Sequence, residues 1–295
     1  MTETPFALLP DTSFFYESEN YKAALNVLLV AIRSGEGFVK VTGEVGTGKT
    51  MLCRKLLNCL ETDNYITVFI PNPFLAPNQL RMALADELGV SYQDSASDDI
   101  TSYRLMSEIT KTLMAHNNAG KKVIVCLDEV QAMPIETLEA LRLFSNIETE
   151  KSKLMQIILF GQPELDERLN NNCNRQFKQR ISFSYKLKPI DRKSLTGYIN
   201  HRLRIAGYNG SDLFTPKAID KIYQSSKGVP RLVNTLCNKA LILAFGQGKS
   251  NVVSKHVKQA INDSDDNDDS SRTYIYVALA VSCMTALAFL LWALQ

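Results

Sequence analysis

The sequence predicts an α/β fold: a parallel sheet with helices between its strands, followed by an all-helical domain and one apolar span. Three observations carry this reading. Short continuous apolar runs, Val123–Leu127 and Leu154–Phe160 among them, alternate with segments of helical period. That is the pattern of strands covered on both faces by the helices that connect them. Strand signals then stop after Ile181–Tyr185, and the final stretch, Thr273–Leu294, carries no charge.

In chain order, Tyr21–Ile32 repeats Ala24, Leu25, Leu28, Leu29 and Ile32 at helical spacing and ends at Gly35, a natural C-cap. Phe38–Val41 is a strand, a glycine-rich loop follows it directly, and Thr50–Leu60 is helical. Tyr65–Ile70 is a second strand, stopped by Pro71 and Pro73. Met82–Leu88 and Ser102–Leu113 are helical on either side of the polar loop Ser91–Asp99. Asp128 and Glu129 close the run Val123–Leu127, and Gly161-Gln162-Pro163 close Leu154–Phe160. Open parallel sheets bind ligands at these carboxyl ends.

Residues 1–185 are therefore expected to form the α/β core and residues 186–262 a helical lid. Residues 263–272 form an acidic linker with no apolar side chain to bury. A helix over residues 273–294, rising about 1.5 Å per residue, crosses a hydrocarbon layer of about 30 Å. Tyr274, Tyr276 and Trp292 stand where interfacial anchors belong, so a transmembrane helix is preferred to a buried core helix. Lys255, Lys258 and Arg272 precede it, which places the preceding domains in the cytoplasm. The N-terminus, Met1-Thr2-Glu3-Thr4-Pro5, lacks the basic and apolar regions of a cleaved secretory signal.

The 33 basic and 31 acidic residues leave a net charge of +2, which gives no overall signature of a nucleic-acid binder. Six cysteines without paired spacing are expected to be reduced core residues, not a disulfide framework or a zinc site.

Gly43-Glu44-Val45-Gly46-Thr47-Gly48-Lys49-Thr50 fits G-x-x-x-x-G-K-[ST] in full, between a strand and a helix as that motif requires. Its glycines let backbone N–H groups turn toward phosphates, and the following helix presents its positive end. The expected nucleotide contacts are Gly43, Glu44, Val45, Gly46, Thr47, Gly48, Lys49, Thr50 and Met51. Lys49 would neutralise the β- and γ-phosphates of ATP, and the Thr50 hydroxyl would bind Mg²⁺. Asp128 closes a buried strand, where a carboxylate needs a cation, and Mg²⁺ supplies one. Glu129 is then placed to orient and deprotonate the attacking water, against the plainer reading of the acidic pair as a helix cap. Gln162 can reach the γ-phosphate or the water, or simply form a turn before Pro163. Arg231, at a helix start in Gly228-Val229-Pro230-Arg231, can return a guanidinium to the nucleotide or remain solvated. Among Arg175, Lys178 and Arg180, one can act in trans on a neighbouring subunit's γ-phosphate, and Arg180 is the candidate. Most of that basic run, through Lys193, reads as a solvated face.

On these residues the chain resembles the AAA+ ATPases of the general secretion pathway protein A type, which include the MSHA pilus biogenesis ATPase. The likeness runs from Pro5-Phe6 and Pro10–Tyr16 through the phosphate loop, Leu127–Gln131, Phe160–Leu165 and Gln179–Ile181. It continues in Tyr198–Leu203 and Gly228–Arg231. The resemblance implies a P-loop NTPase (AAA+) fold with a helical lid and a homo-oligomer formed around ATP. It also implies support of a type IV pilus or type II secretion apparatus at the bacterial inner membrane, through partner proteins there. Gln162 then resembles a sensor-1 residue and Arg231 a sensor-2 residue. Secretion-type members continue past the membrane helix into a periplasmic domain, whereas this chain stops at Gln295, so contact with the cell wall is expected to need a partner.

Two other classes compete. A DNA-binding AAA+ regulator similar to transposition target-selection ATPases would use the run Arg175–Lys193 on phosphates, with salt-sensitive affinity. The near-neutral charge and the apolar span count against it, so no nucleic-acid partner is expected. A nucleotide-binding scaffold without turnover would tolerate Glu129→Gln.

Overall fold

The computed structural model describes residues 1–61, 64–72, 74–91, 98–144, 146–150, 152–170 and 175–264. The chain divides into two units. One holds Leu9–Ile190 with Val229–Arg231, and the other Met1–Leu8 with Asp191–Gly228 and the chain from Leu232 on.

The larger unit is the expected α/β sheet. Ser18 starts α1 (Glu19–Ser34) by accepting the Tyr21 N–H, and Gly35 ends it in the left-handed region at φ 81°. Then come β1 (Phe38–Thr42), α2 (Lys49–Cys59), β2 (Tyr65–Ile70) and α3 (Pro77–Glu87). They are followed by α4 (Asp98–Asn118), β3 (Lys122–Leu127), α5 (Ile135–Phe144) and β4 (Met155–Gly161). Two short helices, α6 (Glu164–Asn170) and α7 (Arg175–Lys178), lead into β5 (Ile181–Lys186). All pairings are parallel, in the order β2-β3-β4-β1-β5.

Alternation along the strands explains the three layers. Val123, Val125 and Leu127 of β3 join Ile157 and Leu159 of β4 in a core shared with α3, α4 and α5. The residues between them, Ile124, Cys126, Ile158 and Phe160, pack with α1 and α2 on the opposite face. With both faces covered, β3 and β4 read as unbroken apolar runs. The edge strand β5 is buried only at alternate positions to an intermediate degree, which is why its sequence carries serines and a lysine. Lys40 of β1 breaks the apolar pattern; it is buried and paired with Asp166 of α6.

The expected α/β boundary at residue 185 falls instead after Ile190, because buried Leu187 and Ile190 follow the strand, Leu187 donating its N–H to Thr42 O at 2.7 Å. Two predicted helices are longer than expected: α3 begins at Pro77, with proline in the first turn, and α4 begins at Asp98, inside the stretch read as a loop.

The second unit contains α8 (Arg192–Ile205), α9 (Pro216–Ser226), α10 (Pro230–Gly246) from Leu232 on, and α11, which covers residues 254–264 among the described ones. Asp191 caps α8 by accepting the Ser194 N–H at 2.7 Å. Leu195, Ile199, Ile219, Ile222, Val233 and Val257 supply its core. The chain's first residues, expected in the α/β core, belong here. Buried Arg202 donates to Pro5 O at 2.6 Å and Ala7 O at 3.2 Å, and Phe6 meets Phe214 edge-on at 5.9 Å. Asp263 and Ser264, assigned to the linker, still lie in α11, where Asp263 pairs with Lys239 at 2.6 Å. The rest of the linker and the expected membrane helix at 273–294 fall outside the described residues. Among the described residues no helix is long and apolar enough to cross a membrane. Cys53, Cys126 and Cys237 are free, buried thiols as expected, but Cys59 is exposed; Cys173 and Cys283 are outside the described residues.

Candidate nucleotide-binding site

At the carboxyl end of β1 the chain turns through Gly43–Gly48 into α2, whose amino end faces the loop. Gly46 and Gly48 sit at φ 76° and 93°, a region that strains any residue with a Cβ. At Gly48 a Cβ would also overlap the Tyr21 hydroxyl, which donates to Thr47 O from α1. Thr47 is buried and closes the turn by donating to Glu44 O at 2.7 Å.

Tyr21 was not legible as a site residue, because it precedes Thr47 by 26 positions and reads as one more core residue of an amphipathic helix. Its contact fixes a peptide of the loop from outside. Tyr21→Phe keeps the ring and removes this hydrogen bond. It is expected to weaken nucleotide affinity by about 0.5–1.5 kcal/mol, with the thermal melt little changed, as measured by equilibrium binding of a fluorescent ATP analogue.

Lys49 is only 4% exposed, and its ammonium donates to Gly43 O at 2.9 Å and Glu44 O at 3.1 Å. Burial pulls its pKa below the usual lysine value, against the opposing pull of Glu129 and Asp128. Thr50, one residue into α2, donates its hydroxyl to Asp128 Oδ2 at 2.5 Å, and Asp128 Oδ1 accepts the Glu129 N–H at 2.9 Å. Burial raises the Asp128 carboxyl above the usual range, while these two hydrogen bonds hold it down. The pair therefore brings together a buried carboxylate and a hydroxyl, an all-oxygen set that fits Mg²⁺. That ion is commonly held by one or two carboxylates together with substrate phosphates and water.

Glu129 adopts the left-handed conformation, φ 54° and ψ 35°, uncommon for a residue with a side chain and typical of functional turns. Its Oε2 accepts from Gln131 Nε2 at 2.6 Å and from Gln162 Nε2 at 3.0 Å. Burial pushes the Glu129 carboxyl up, but these two amides and the Lys49 charge outweigh it, leaving the pKa below the usual glutamate range. Gln131 is the second residue not singled out from the sequence. A glutamine two places beyond an acidic pair was the available signal.

The structure thus gathers Lys49, Thr50, Asp128, Glu129 and Gln162 at the carboxyl ends of β1, β3 and β4. Arg231 belongs to the same unit and donates its backbone N–H to Gly46 O at 3.2 Å. Arg180 is not part of this cluster. It is exposed and precedes β5, whose first residue pairs with Phe38, so it stands at the amino end of the sheet, opposite the phosphate loop.

The AAA domain family matches residues 32–169, which include all of this cluster except Arg231. The chain is 37% identical over 294 residues to general secretion pathway protein A of Aeromonas hydrophila, covering 99% of this chain and 53% of that one. It is 24% identical over 245 residues to an uncharacterised HTH-type transcriptional regulator of Methanocaldococcus jannaschii, covering 81% of this chain and 59% of that one. The chain thus spans little more than half the length of these relatives. Among solved structures, the ORC2 protein of Aeropyrum pernix in its ADPNP and ADP complexes superposes with a TM-score of 0.60 at 16% identity, covering 85% of this chain and 71% of that one. At that identity the likeness establishes the fold alone.

Proposed function

From the AAA-domain match over residues 32–169 and the 37% identity to general secretion pathway protein A, we propose that this chain is an AAA-domain ATPase of that type, which binds ATP with Mg²⁺ and hydrolyses it at the inner membrane in support of a pilus or secretion assembly. One observation carries the chemistry: the Thr50 hydroxyl, the Asp128 carboxylate and the Glu129 carboxylate meet beside the buried Lys49 at the end of the phosphate loop. Loop N–H groups and Lys49 hold the phosphates, and Thr50 with Asp128 holds Mg²⁺. When bound, that ion offsets the charge that develops on the phosphate oxygens. Glu129 accepts a proton from water as the water oxygen bonds to the γ-phosphorus and the bond to the β–γ bridging oxygen breaks, giving ADP and phosphate. Gln162, hydrogen-bonded to Glu129, contacts the γ-phosphate in the same step in this reading, which its bond to the base supports.

The uncharged stretch at 273–294 and the name of the Aeromonas relative support the tether and the assembly role. An exposed Arg180 at the far end of the sheet suits a residue that completes a neighbour's site, so ATP is expected to drive homo-oligomerisation. Sedimentation velocity of the full chain in detergent tests this. A larger assembly with a slowly hydrolysed ATP analogue than with ADP, abolished by Arg180→Ala, is expected. A monomer in both nucleotides contradicts it. The likeness to an HTH-type regulator favours DNA binding as a second reading, which predicts salt-dependent affinity for duplex DNA, lost when Lys186, Lys188 and Lys193 are neutralised.

A further inference from the structure

Gln131 ties together the two side chains on which turnover is proposed to depend. Its Nε2 donates to Glu129 Oε2 at 2.6 Å, and its Oε1 accepts the Gln162 backbone N–H at 2.9 Å. Both ends of the amide are thus committed, one to the end of β3 and one to the end of β4. The short turn that carries it, Val130–Ala132, is fixed in its own right, because Arg168 of α6 donates to Gln131 O and, at 2.6 Å, to Met133 O. The side chain therefore projects from backbone held on two sides.

We propose that Gln131 is the positioning residue for Glu129, holding its carboxylate by one oxygen so that the other is presented to the attacking water. The inference rests on Glu129 acting as the base in ATP hydrolysis. A free glutamate side chain has several rotamers, and ordering it costs conformational entropy. Two amides on Oε2 meet that cost within the protein before substrate arrives. They are not equivalent. Gln162 is also the residue proposed to contact the γ-phosphate, and an amide that turned there would release Glu129. Gln131 is given no such task in this reading, so it can stay on Glu129 when Gln162 leaves, and through its Oε1 it ties the Gln162 backbone to the same amide. The left-handed backbone of Glu129 points the same way, because a strained residue keeps its direction only when its surroundings overdetermine it.

The test uses the full chain in detergent, with Gln131→Met, which keeps the length and removes both hydrogen bonds, and Gln131→Glu, which keeps an acceptor for the Gln162 N–H but sets a carboxylate against Glu129. ATP turnover, KM, binding of a fluorescent ATP analogue and the melting temperature are measured beside Glu129→Gln. Both Gln131 variants are expected to lose kcat roughly tenfold or more, as is usual when an orienting partner is removed, with nucleotide affinity at the wild-type value. Gln131→Glu, with its like charge, is expected to be the slower. Wild-type kcat in Gln131→Met beside an inactive Glu129→Gln overturns the inference alone. Parallel loss of kcat, nucleotide binding and melting temperature in both Gln131 variants overturns it in favour of a purely structural role. Wild-type turnover no faster than that of Glu129→Gln removes the reading beneath it, and the inference falls with it.

Discussion

Glu129→Gln is expected to bind ATP as the wild type does and to turn it over roughly 10²- to 10⁴-fold more slowly, the usual contribution of a positioned general base. The substitution is close to isosteric, and the amides of Gln131 and Gln162 can still meet its side-chain oxygen. What is lost is basicity. The wild-type carboxylate, kept below the usual glutamate range, is ionised at neutral pH, so the wild type needs no proton loss before it can act, whereas the amide cannot accept the proton at any working pH. Rapid-quench measurement of phosphate formation beside equilibrium nucleotide binding separates the two effects. Unchanged turnover would favour the scaffold reading.

Lys49→Ala is expected to act earlier, on binding. The ammonium is buried, and the loop carbonyls of Gly43 and Glu44 hold it inside the turn. Removing it deletes a charge-assisted contact to phosphate, worth about 1.5–3 kcal/mol, or roughly 10- to 100-fold in affinity. It also takes from Asp128 and Glu129 the Lys49 charge that favours the ionised form of both carboxylates. Isothermal titration with ATP and Mg²⁺ reads the loss directly, and turnover is expected to fall with it.

The fold was legible wherever a local pattern had one physical cause. Runs such as Val123–Leu127 are apolar because both faces of the sheet are covered, and the phosphate loop is recognisable because its glycines and lysine answer one geometric demand. What escaped the sequence depended on distant contacts. Pro5 and Phe6 look like the start of the α/β core, yet Arg202 and Phe214 draw them into the helical unit. Tyr21 has the spacing of a core residue, and only the folded chain brings its hydroxyl to Thr47 O. Lys40 interrupts a buried strand with no local sign of Asp166, its partner on α6. In the site, the acidic pair was plain, whereas the left-handed turn at Glu129 and the commitment of Gln131 to two strand ends follow from backbone that the sequence pattern does not encode.

The most direct test of ATP hydrolysis at this site is steady-state phosphate release by the full chain in detergent, with ATP and Mg²⁺, over a range of protein concentrations and beside Lys49→Ala. Release is expected to rise more than proportionally with protein concentration and to fall to background in Lys49→Ala. Release indistinguishable from Lys49→Ala at every concentration would contradict it.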